Sequence, residues 1–177
     1  THGVAYEYFQ KSVKELPDFS KMKPSSNGIT TGFNTAAGSR STACVYRFKG
    51  DIYLESDGDY TFFLTSVDGS RLIVDGKTVV DNDGIHATTE EFATTNLSKG
   101  WHSLTALCFS SKKKSNLKID IHGPKMERRA LASMLRQRNK AKQPRCSLKL
   151  STGGRLFGYL GKWTETAIVL AEEQSTG

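Results

Sequence analysis

Three Asp-Gly dipeptides divide residues 53–83 into four short runs of apolar or alternating residues. They are Asp57-Gly58, Asp68-Gly69 and Asp75-Gly76. The backbone at these residue types accepts positive φ angles, which the two-residue turns of β-hairpins require. The spacing therefore predicts a meander of antiparallel strands in this part of the chain.

The run at residues 60–65 alternates strictly between two faces. Tyr60, Phe62 and Leu64 point to one side of a strand, and the residues between them point to the other. This period of two is typical of a strand in a β-sandwich. The predicted core residues are Tyr60, Phe62, Leu64, Leu72, Val74, Leu104 and Ala106.

The pattern DGxYTFxLxSxDGSRLxVDGKxVVDNDG at residues 57–84 resembles the signature of the PA14 domain family. Four further stretches match the family in order, namely GVAYEYFQ, ACVYRFKGDIYL, GWHSLTALCF and LKIDIHGP. The resemblance implies an all-β fold, a PA14-like antiparallel β-sandwich over residues 1–124. This module occurs in bacterial toxins, glycosidases, yeast adhesins and eukaryotic multidomain proteins, so the fold alone assigns no function.

Residues 11–41 are rich in Pro, Gly and Ser and show no periodicity. We predict an irregular connection that crosses a face of the sheet. Loops of this length are often functional, but in the PA14 family this region is a cover, and we favour that interpretation. The side chains predicted to hold it down are Leu16, Phe19, Ile29 and Phe33.

The positive charge of the chain is concentrated in one segment. Residues 1–123 carry 14 Lys+Arg and 14 Asp+Glu, residues 124–145 carry eight and one, and residues 146–177 carry three of each. The whole formal net charge of +7 therefore lies within 22 residues. An acidic partner would meet this segment first.

Residues 125–143 are rich in helix-forming residues and contain neither Gly nor Pro. Their apolar residues fall at offsets of 0, 4, 5, 8 and 9 from Met126, which is one face of a helix. We therefore predict a basic helical linker over residues 125–145. Two interpretations remain open: the helix docks on an acidic surface of a protein, nucleic acid or membrane, or it packs on its own sandwich with its charges in water.

If the helix docks, its cationic side chains make polar contacts and its apolar side chains supply buried area. The predicted partner-binding residues are Arg128, Arg129, Arg136, Arg138, Lys140, Leu131, Met134 and Leu135. The last part of the chain, residues 146–177, regains β character and is predicted to form a short β-rich extension, with strands at 147–150, 155–160 and 163–170.

The sequence contains no recognisable catalytic or zinc-binding motif. Its four histidines form no HExxH pair, and its three cysteines, Cys44, Cys108 and Cys146, form no CxxC motif. Since Cys is among the residues most often buried, we predict buried thiols rather than a disulfide for Cys44 and Cys108. We predict that the chain is not an enzyme.

Adhesins of the PA14 family bind sugar through calcium held by two consecutive Asp residues, and the resemblance places this dipeptide at Val67-Asp68. Valine cannot ligate calcium, which needs several oxygen ligands. We therefore expect no metal site and no cofactor. Asp68 is the one residual candidate ligand, and the geometry of a turn explains it better.

Two functions of different classes are consistent with these features. The first is a non-catalytic interaction module, a structural component of a larger eukaryotic assembly such as a cytoskeletal or ciliary one, which binds other proteins through their acidic surfaces. The alternative is a calcium-assisted carbohydrate-binding domain of a secreted or cell-surface protein, in agreement with the sequon Asn96-Leu97-Ser98. Val67 and the cationic segment favour the first function, and with it an intracellular location.

The sequence has no apolar run long enough for a membrane helix. It also begins without an initiator Met, so we expect it to be a piece of a longer protein.

Overall fold

The computed structural model describes residues 3–37, 43–111 and 116–136 in full, and the backbone of residues 145–149 and 155–159. The chain divides into two compact units, Thr1–Arg138 and Asn139–Gly177. The strands of the first unit are β1 (Val4–Phe9), β2 (Ser26–Thr30), β3 (Cys44–Leu54), β4 (Gly58–Ser66), β5 (Ser70–Val74), β6 (Lys77–Asn82), β7 (Thr89–Leu97), β8 (Gly100–Ser110), β9 (Leu117–Gly123), β10 (Met126–Ala130) and β11 (Leu135–Arg136). Two short 3-10 helices lie at Phe19–Lys21 and Leu131–Met134.

Two antiparallel sheets enclose the core of this unit. The first sheet has the strand order β2-β1-β3-β8-β5-β6, and the second has the order β10-β9-β4-β7. The two-residue strand β11 pairs with β3 in the first sheet. The all-β antiparallel sandwich predicted from the sequence is confirmed.

The period of two along β4 correctly predicts which side chains enter the core. Buried and partly buried residues alternate from Tyr60 to Ser66. The seven predicted core residues belong to one apolar cluster formed by both sheets, and each is at most 2% exposed. Burial of these side chains supplies the hydrophobic stabilisation of the sandwich.

Asp57-Gly58 and Asp68-Gly69 lie where the chain passes between the two sheets, so the predicted meander is wrong at these two turns. The turn at Asp75-Gly76, by contrast, has the hairpin geometry that the sequence predicts. Both residues have positive φ angles, of 49° and 79°, as a two-residue hairpin turn between twisted strands requires. The Asp75 carboxylate accepts a hydrogen bond of 2.8 Å from the Ser103 amide and lies 2.5 Å from His102 Nδ1. The β5–β6 turn is therefore fastened to β8.

The connection between β1 and β2 covers the outer face of the first sheet, in agreement with the predicted covering role, but residues 26–30, predicted to be irregular, form the strand β2. Phe19 is buried there in a second apolar cluster. The guanidinium of Arg47 lies 5.2 Å from the centre of the Phe19 ring and donates a hydrogen bond to Glu7. That hydrogen bond holds the pKa of the Glu7 carboxyl below its usual value. The members of this cluster are Phe9, Phe19, Val45, Leu107 and Phe109, with Val13, Leu16, Met22 and Ile73 packed against them.

One of the predicted anchors of this connection is wrong. Ile29 is 67% exposed, because residues 26–30 form the edge strand β2 and alternate residues of that strand face solvent. Phe33, by contrast, packs edge-on against Phe48 with the ring centres 5.8 Å apart. Phe19 and Leu16 therefore anchor the β1–β2 connection on the outer face, and Phe33 anchors the segment after β2 against the main core.

The prediction of a basic helix is wrong over the described residues 126–136. This crossing segment consists of β10 on the second sheet, the single 3-10 turn Leu131–Met134, and β11 on the first sheet. Leu131 and Leu135 are both 0% exposed and belong to the main core cluster. Packing of these two residues between the sheets outweighs the modest helix propensity of the segment.

Cys44 and Cys108 are buried thiols, as predicted. Cys44 lies opposite Ser110 in the β3–β8 ladder, and Cys108 lies opposite Tyr46. The two cysteines are thus diagonal neighbours, a relationship with a typical Cα separation of about 7–8 Å, beyond the reach of an unstrained disulfide. Burial raises the pKa of the Cys44 thiol, which makes it less reactive.

The described part of the second unit is an antiparallel hairpin of β12 (Arg145–Lys149) and β13 (Arg155–Tyr159). It agrees with two of the predicted tail strands, and the third, at residues 163–170, lies outside the described residues. Among the residues that the structure describes, no helix has the length and apolarity needed to cross a membrane.

Candidate partner-binding site

Asp68 lies in the turn between β4 and β5 and is 5% exposed. Its φ angle is 58°, in the left-handed region that Asp tolerates in turns. Its Oδ2 accepts hydrogen bonds of 2.8 Å from both the amide and the hydroxyl of Ser111. The carboxylate therefore fastens the β4–β5 turn to the end of β8.

A second carboxylate, Asp83, lies beside this turn. A Cβ atom added to Gly69 would be 2.5 Å from Asp83 Oδ1. Asp83 Oδ1 accepts hydrogen bonds from the Leu16 amide at 3.0 Å and from the Gly84 amide at 2.8 Å. Within the described ranges, no group of three or more His, Cys, Asp or Glu side chains is arranged to hold a metal ion. Both carboxylates thus already make structural hydrogen bonds at the turn that holds Asp68, the residual candidate calcium ligand.

Arg128, in the crossing segment, forms a network on the outer face of the second sheet. Its Nη2 lies 2.6 Å from Glu90 Oε2 on β7, and its Nε lies 3.0 Å from Asp120 Oδ2 on β9. Its guanidinium carbon is 3.9 Å from the centre of the Phe63 ring on β4. The hydrogen bonds from Arg128 hold the pKa of the Glu90 carboxyl below its usual value. Arg128 therefore links β10 to the three other strands of its sheet.

Arg129 and Arg136 of the crossing segment, together with the preceding Lys125, line an open pocket of about 430 Å³, which we call the cationic pocket. Lys125, Arg129 and Arg136 contribute three positive charges to its wall, and Glu55 contributes one negative charge. Its lining consists of Tyr53, Leu54, Glu55, Ser56, Tyr60, Pro124, Lys125, Met126, Arg129, Ser133, Met134 and Arg136. The pocket therefore combines cationic, polar and apolar side chains in its lining.

The floor of the cationic pocket is tightly packed. The Tyr60 hydroxyl donates a hydrogen bond of 2.7 Å to the Ser56 carbonyl. A Cβ atom at Gly123 would lie 2.3 Å from the Tyr60 ring, and one at Gly58 would lie 2.5 Å from Pro124. Since these glycines allow the close approach, they fix the start of β4 against the turn that precedes β10.

The cations on the wall of the pocket have few partners. Arg136 Nη1 donates to the carbonyl oxygens of Ser133 and Leu135, both at 3.1 Å, which orients the guanidinium without neutralising it. Within the described part of the chain, no acidic side chain forms an ion pair with Lys125, Arg129 or Arg136. The pocket therefore has a surplus of positive charge that an anionic ligand could neutralise.

The cationic pocket and the Asp68 turn lie at opposite ends of β4. Tyr60 is near the start of this strand, and Asp68 follows its last residue, Ser66. At roughly 3.3 Å per residue, the two places are about 25 Å apart. A ligand in the pocket would thus be remote from the Asp68 turn.

The structure separates the predicted partner-binding residues into different environments. Arg129, Met134 and Arg136 meet at the cationic pocket, and Arg128 lies in the network on the second sheet. Leu131 and Leu135 supply buried area to their own sandwich, not to an exposed face. Arg138 and Lys140 lie outside the described residues. Pocket residues that the sequence did not single out are Tyr53, Leu54, Glu55, Ser56, Pro124, Lys125 and Ser133.

The profile of the PA14 domain family matches residues 1–103 of the chain. This match covers more than half of the 177 residues and includes β1 to β7. No curated protein has significant sequence similarity to the chain.

Solved structures resemble the chain in fold at low sequence identity. A PA14 sugar-binding domain from an RTX adhesin has a TM-score of 0.59 at 17% identity, over 72% of this chain and 93% of that one. The PA14 domain of the MpAFP antifreeze protein has a TM-score of 0.61 at 14% identity, over 76% and 89%. An anti-sigma factor domain-containing protein from Clostridium clariflavum has a TM-score of 0.62 at 21% identity, over 77% of this chain and 48% of that one. The chain thus spans about half the length of this anti-sigma factor domain-containing protein.

Proposed function

Because the chain belongs to the PA14 domain family, we propose that it is a non-catalytic interaction module and a structural component of a larger eukaryotic assembly. Its partners are other proteins with acidic surfaces, which bind at the cationic pocket. Residues Lys125, Arg129 and Arg136 provide the charge, and Met134 adds apolar area.

One observation carries this proposal, namely the uncompensated charge of the cationic pocket. The carboxylates Glu90 and Asp120 neutralise Arg128, yet no acidic residue among those described does the same for Lys125, Arg129 or Arg136. Three cations at a pocket whose lining also includes apolar side chains form a surface that is complementary to an acidic protein partner. The tight packing of the pocket floor supports the role of a preformed docking site.

The assembly role is tested by reversing charge in the pocket. The double variant Arg129→Glu/Arg136→Glu is expressed in cells of the source organism, and the fraction that co-sediments with large complexes is measured. This fraction should fall at least about tenfold, because the two introduced glutamates would repel an acidic partner. Arg128 is retained in this variant, since its replacement would place a third carboxylate beside Glu90 and Asp120. Circular dichroism should show an unchanged β-sheet spectrum.

The matched control is Lys14→Glu/Lys23→Glu, which makes the same change of charge at two exposed lysines of the β1–β2 connection, outside the pocket lining. Normal co-sedimentation of the pocket variant, or equal loss in the control, would refute docking through the pocket.

The alternative function is calcium-assisted carbohydrate binding. The likeness to the PA14 sugar-binding domain of an RTX adhesin favours it. Against it, Val67 supplies no carboxylate, and Oδ2 of Asp68 already accepts two hydrogen bonds from Ser111. A calcium ion would have to displace these donors and find several more oxygen ligands.

Calorimetric titration with calcium separates the two functions. We expect an affinity weaker than about 1 mM, because one partly occupied carboxylate cannot provide the coordination that tight calcium binding needs. Micromolar affinity that is lost in Asp68→Ala would establish the carbohydrate-binding alternative as the better one. Asp59→Ala, at an exposed carboxylate on β4, is the control for non-specific binding.

A further inference from the structure

We infer that the cationic pocket binds an acidic peptide segment in which carboxylates alternate with apolar side chains. The inference rests on the proposed function, and it specifies the chemistry that the pocket recognises. The carboxylates would pair with Arg129, Arg136 and Lys125, and the apolar side chains would contact Met126 and Met134.

The polar half of this recognition comes from the unused hydrogen-bond donors of the arginines. Arg136 uses Nη1 for two backbone carbonyls, and within the described residues its Nη2 and Nε have no partner. Arg129 is exposed and likewise has no hydrogen-bond acceptor among the residues described. A guanidinium held in a fixed orientation matches the two oxygens of a carboxylate and binds them in a bidentate manner.

The apolar half of the recognition comes from the methionines. Met126 and Met134 are partly buried and pack against the core cluster while they also line the pocket. The unbranched thioether side chain adapts to ligands of different shape and is favoured at binding surfaces for this reason. An apolar residue between two carboxylates would thus bury its side chain between the methionines.

The same lining disfavours nucleic acid as the ligand. Nucleic-acid affinity comes largely from many phosphate contacts with Lys and Arg. The pocket offers three cations, too few for the many phosphate contacts of a nucleic-acid backbone. Its lining combines apolar side chains, such as Met126 and Met134, with cationic ones, which fits a peptide with mixed side chains better.

The experiment uses the ¹⁵N-labelled chain and two synthetic acetylated peptides of equal length, one alternating Glu and Leu and the other alternating Gln and Leu. The Glu peptide should shift the amide resonances of residues 53–56 and 125–136 and bind at least about tenfold more tightly than the Gln peptide. Its affinity should fall several-fold between about 50 and 300 mM salt, because screening weakens ion pairs. The variant Arg129→Gln/Arg136→Gln should lose at least about tenfold in affinity.

The variant Lys14→Gln/Lys23→Gln removes the same charge in the β1–β2 connection and should bind the Glu peptide as the unaltered chain does. Equal affinity for the two peptides, resonance shifts outside the pocket, or tighter binding of a single-stranded oligonucleotide would overturn the inference. Absence of Glu-peptide binding combined with loss of assembly in Arg129→Glu/Arg136→Glu would overturn this inference and leave the docking surface in place. Glu-peptide binding combined with normal assembly of that variant would support the inference and refute the proposed assembly role.

Discussion

Leu131→Ala is expected to lower the free energy of unfolding of the sandwich by about 2–5 kcal/mol, the usual cost of truncating a fully buried leucine. Leu131 is 0% exposed and lies in the 3-10 turn that passes from the second sheet to the first. The cavity left by truncation would lie between the sheets. Urea denaturation should show the loss as a lower midpoint, and thermal denaturation as a melting temperature lower by roughly 5–15 °C.

The matched control is Ile29→Ala, in which an aliphatic side chain is also truncated, but at a position that is 67% exposed. Its effect should stay within about 0.5 kcal/mol. If Leu131→Ala were as mild as this control, the packing of the crossing segment between the sheets would be wrong, and the helix predicted from the sequence would regain support.

Gly69→Ala is expected to destabilise the sandwich by about 1–3 kcal/mol or more through overpacking. The added Cβ would lie 2.3 Å from Phe109 Cε1 and 2.5 Å from Asp83 Oδ1. Phe109 is 0% exposed, and its amide donates a hydrogen bond of 2.9 Å to the Gly69 carbonyl. The ring cannot move away without disturbing the second apolar cluster, so urea denaturation should register the full cost.

Gly76→Asn provides the control for this glycine. No atom lies within 4 Å of a Cβ at Gly76, and its φ angle of 79° is one that Asn tolerates better than other residues. We expect a change of less than about 1 kcal/mol. A mild effect of Gly69→Ala, similar to that of Gly76→Asn, would contradict the close approach of Phe109 to the β4–β5 turn.

The three Asp-Gly dipeptides show how far turn chemistry predicts structure. All three lie in connections between consecutive strands, but only Asp75-Gly76 closes a hairpin, that of β5 and β6. The other two lie where the chain passes from one sheet to the other, so the predicted meander is wrong there, and the reason for glycine also differs among the three. Gly76 and Gly58 have positive φ angles, as the sequence argument assumes, whereas at the middle dipeptide Asp68 has the positive φ angle and Gly69 is needed for space. The space requirement comes from Phe109, which is 40 positions further along the chain, and no local pattern could reveal it.

The crossing segment shows why the prediction failed at residues 126–136. Apolar residues at positions 126, 130, 131, 134 and 135 fit one face of a helix, and the local composition favours a helix. The same spacing also places Leu131 and Leu135 inward when the chain crosses between two sheets. Helix propensity amounts to tenths of a kcal/mol per residue, whereas burial of two leucines contributes several kcal/mol, so tertiary packing decides the structure.

The candidate site was predictable in charge but not in geometry. The sequence correctly marked the cationic segment, and two of its arginines line the pocket. It could not distinguish Arg128 from Arg129, because Glu90, the partner of Arg128, is 38 residues away and is brought close only by the pairing of β7, β4 and β9. Tyr53 and Glu55 were likewise hidden, since they join the pocket from the end of β3.

The attachment of β11 gives the crossing segment a mechanical property. Within the described residues, β11 pairs with β3 through Leu135 and Arg136 alone. A pulling force applied through Arg136 acts on this two-residue ladder, which yields far more readily than the eleven-residue pairing of β3 with β8. Peeling of β11 would withdraw Leu135 from the core and move Arg136 and Met134 away from Tyr53. Tension on the chain would therefore dismantle the cationic pocket before it disrupts the two sheets, and a partner held there would be released under load while the sandwich itself remained folded.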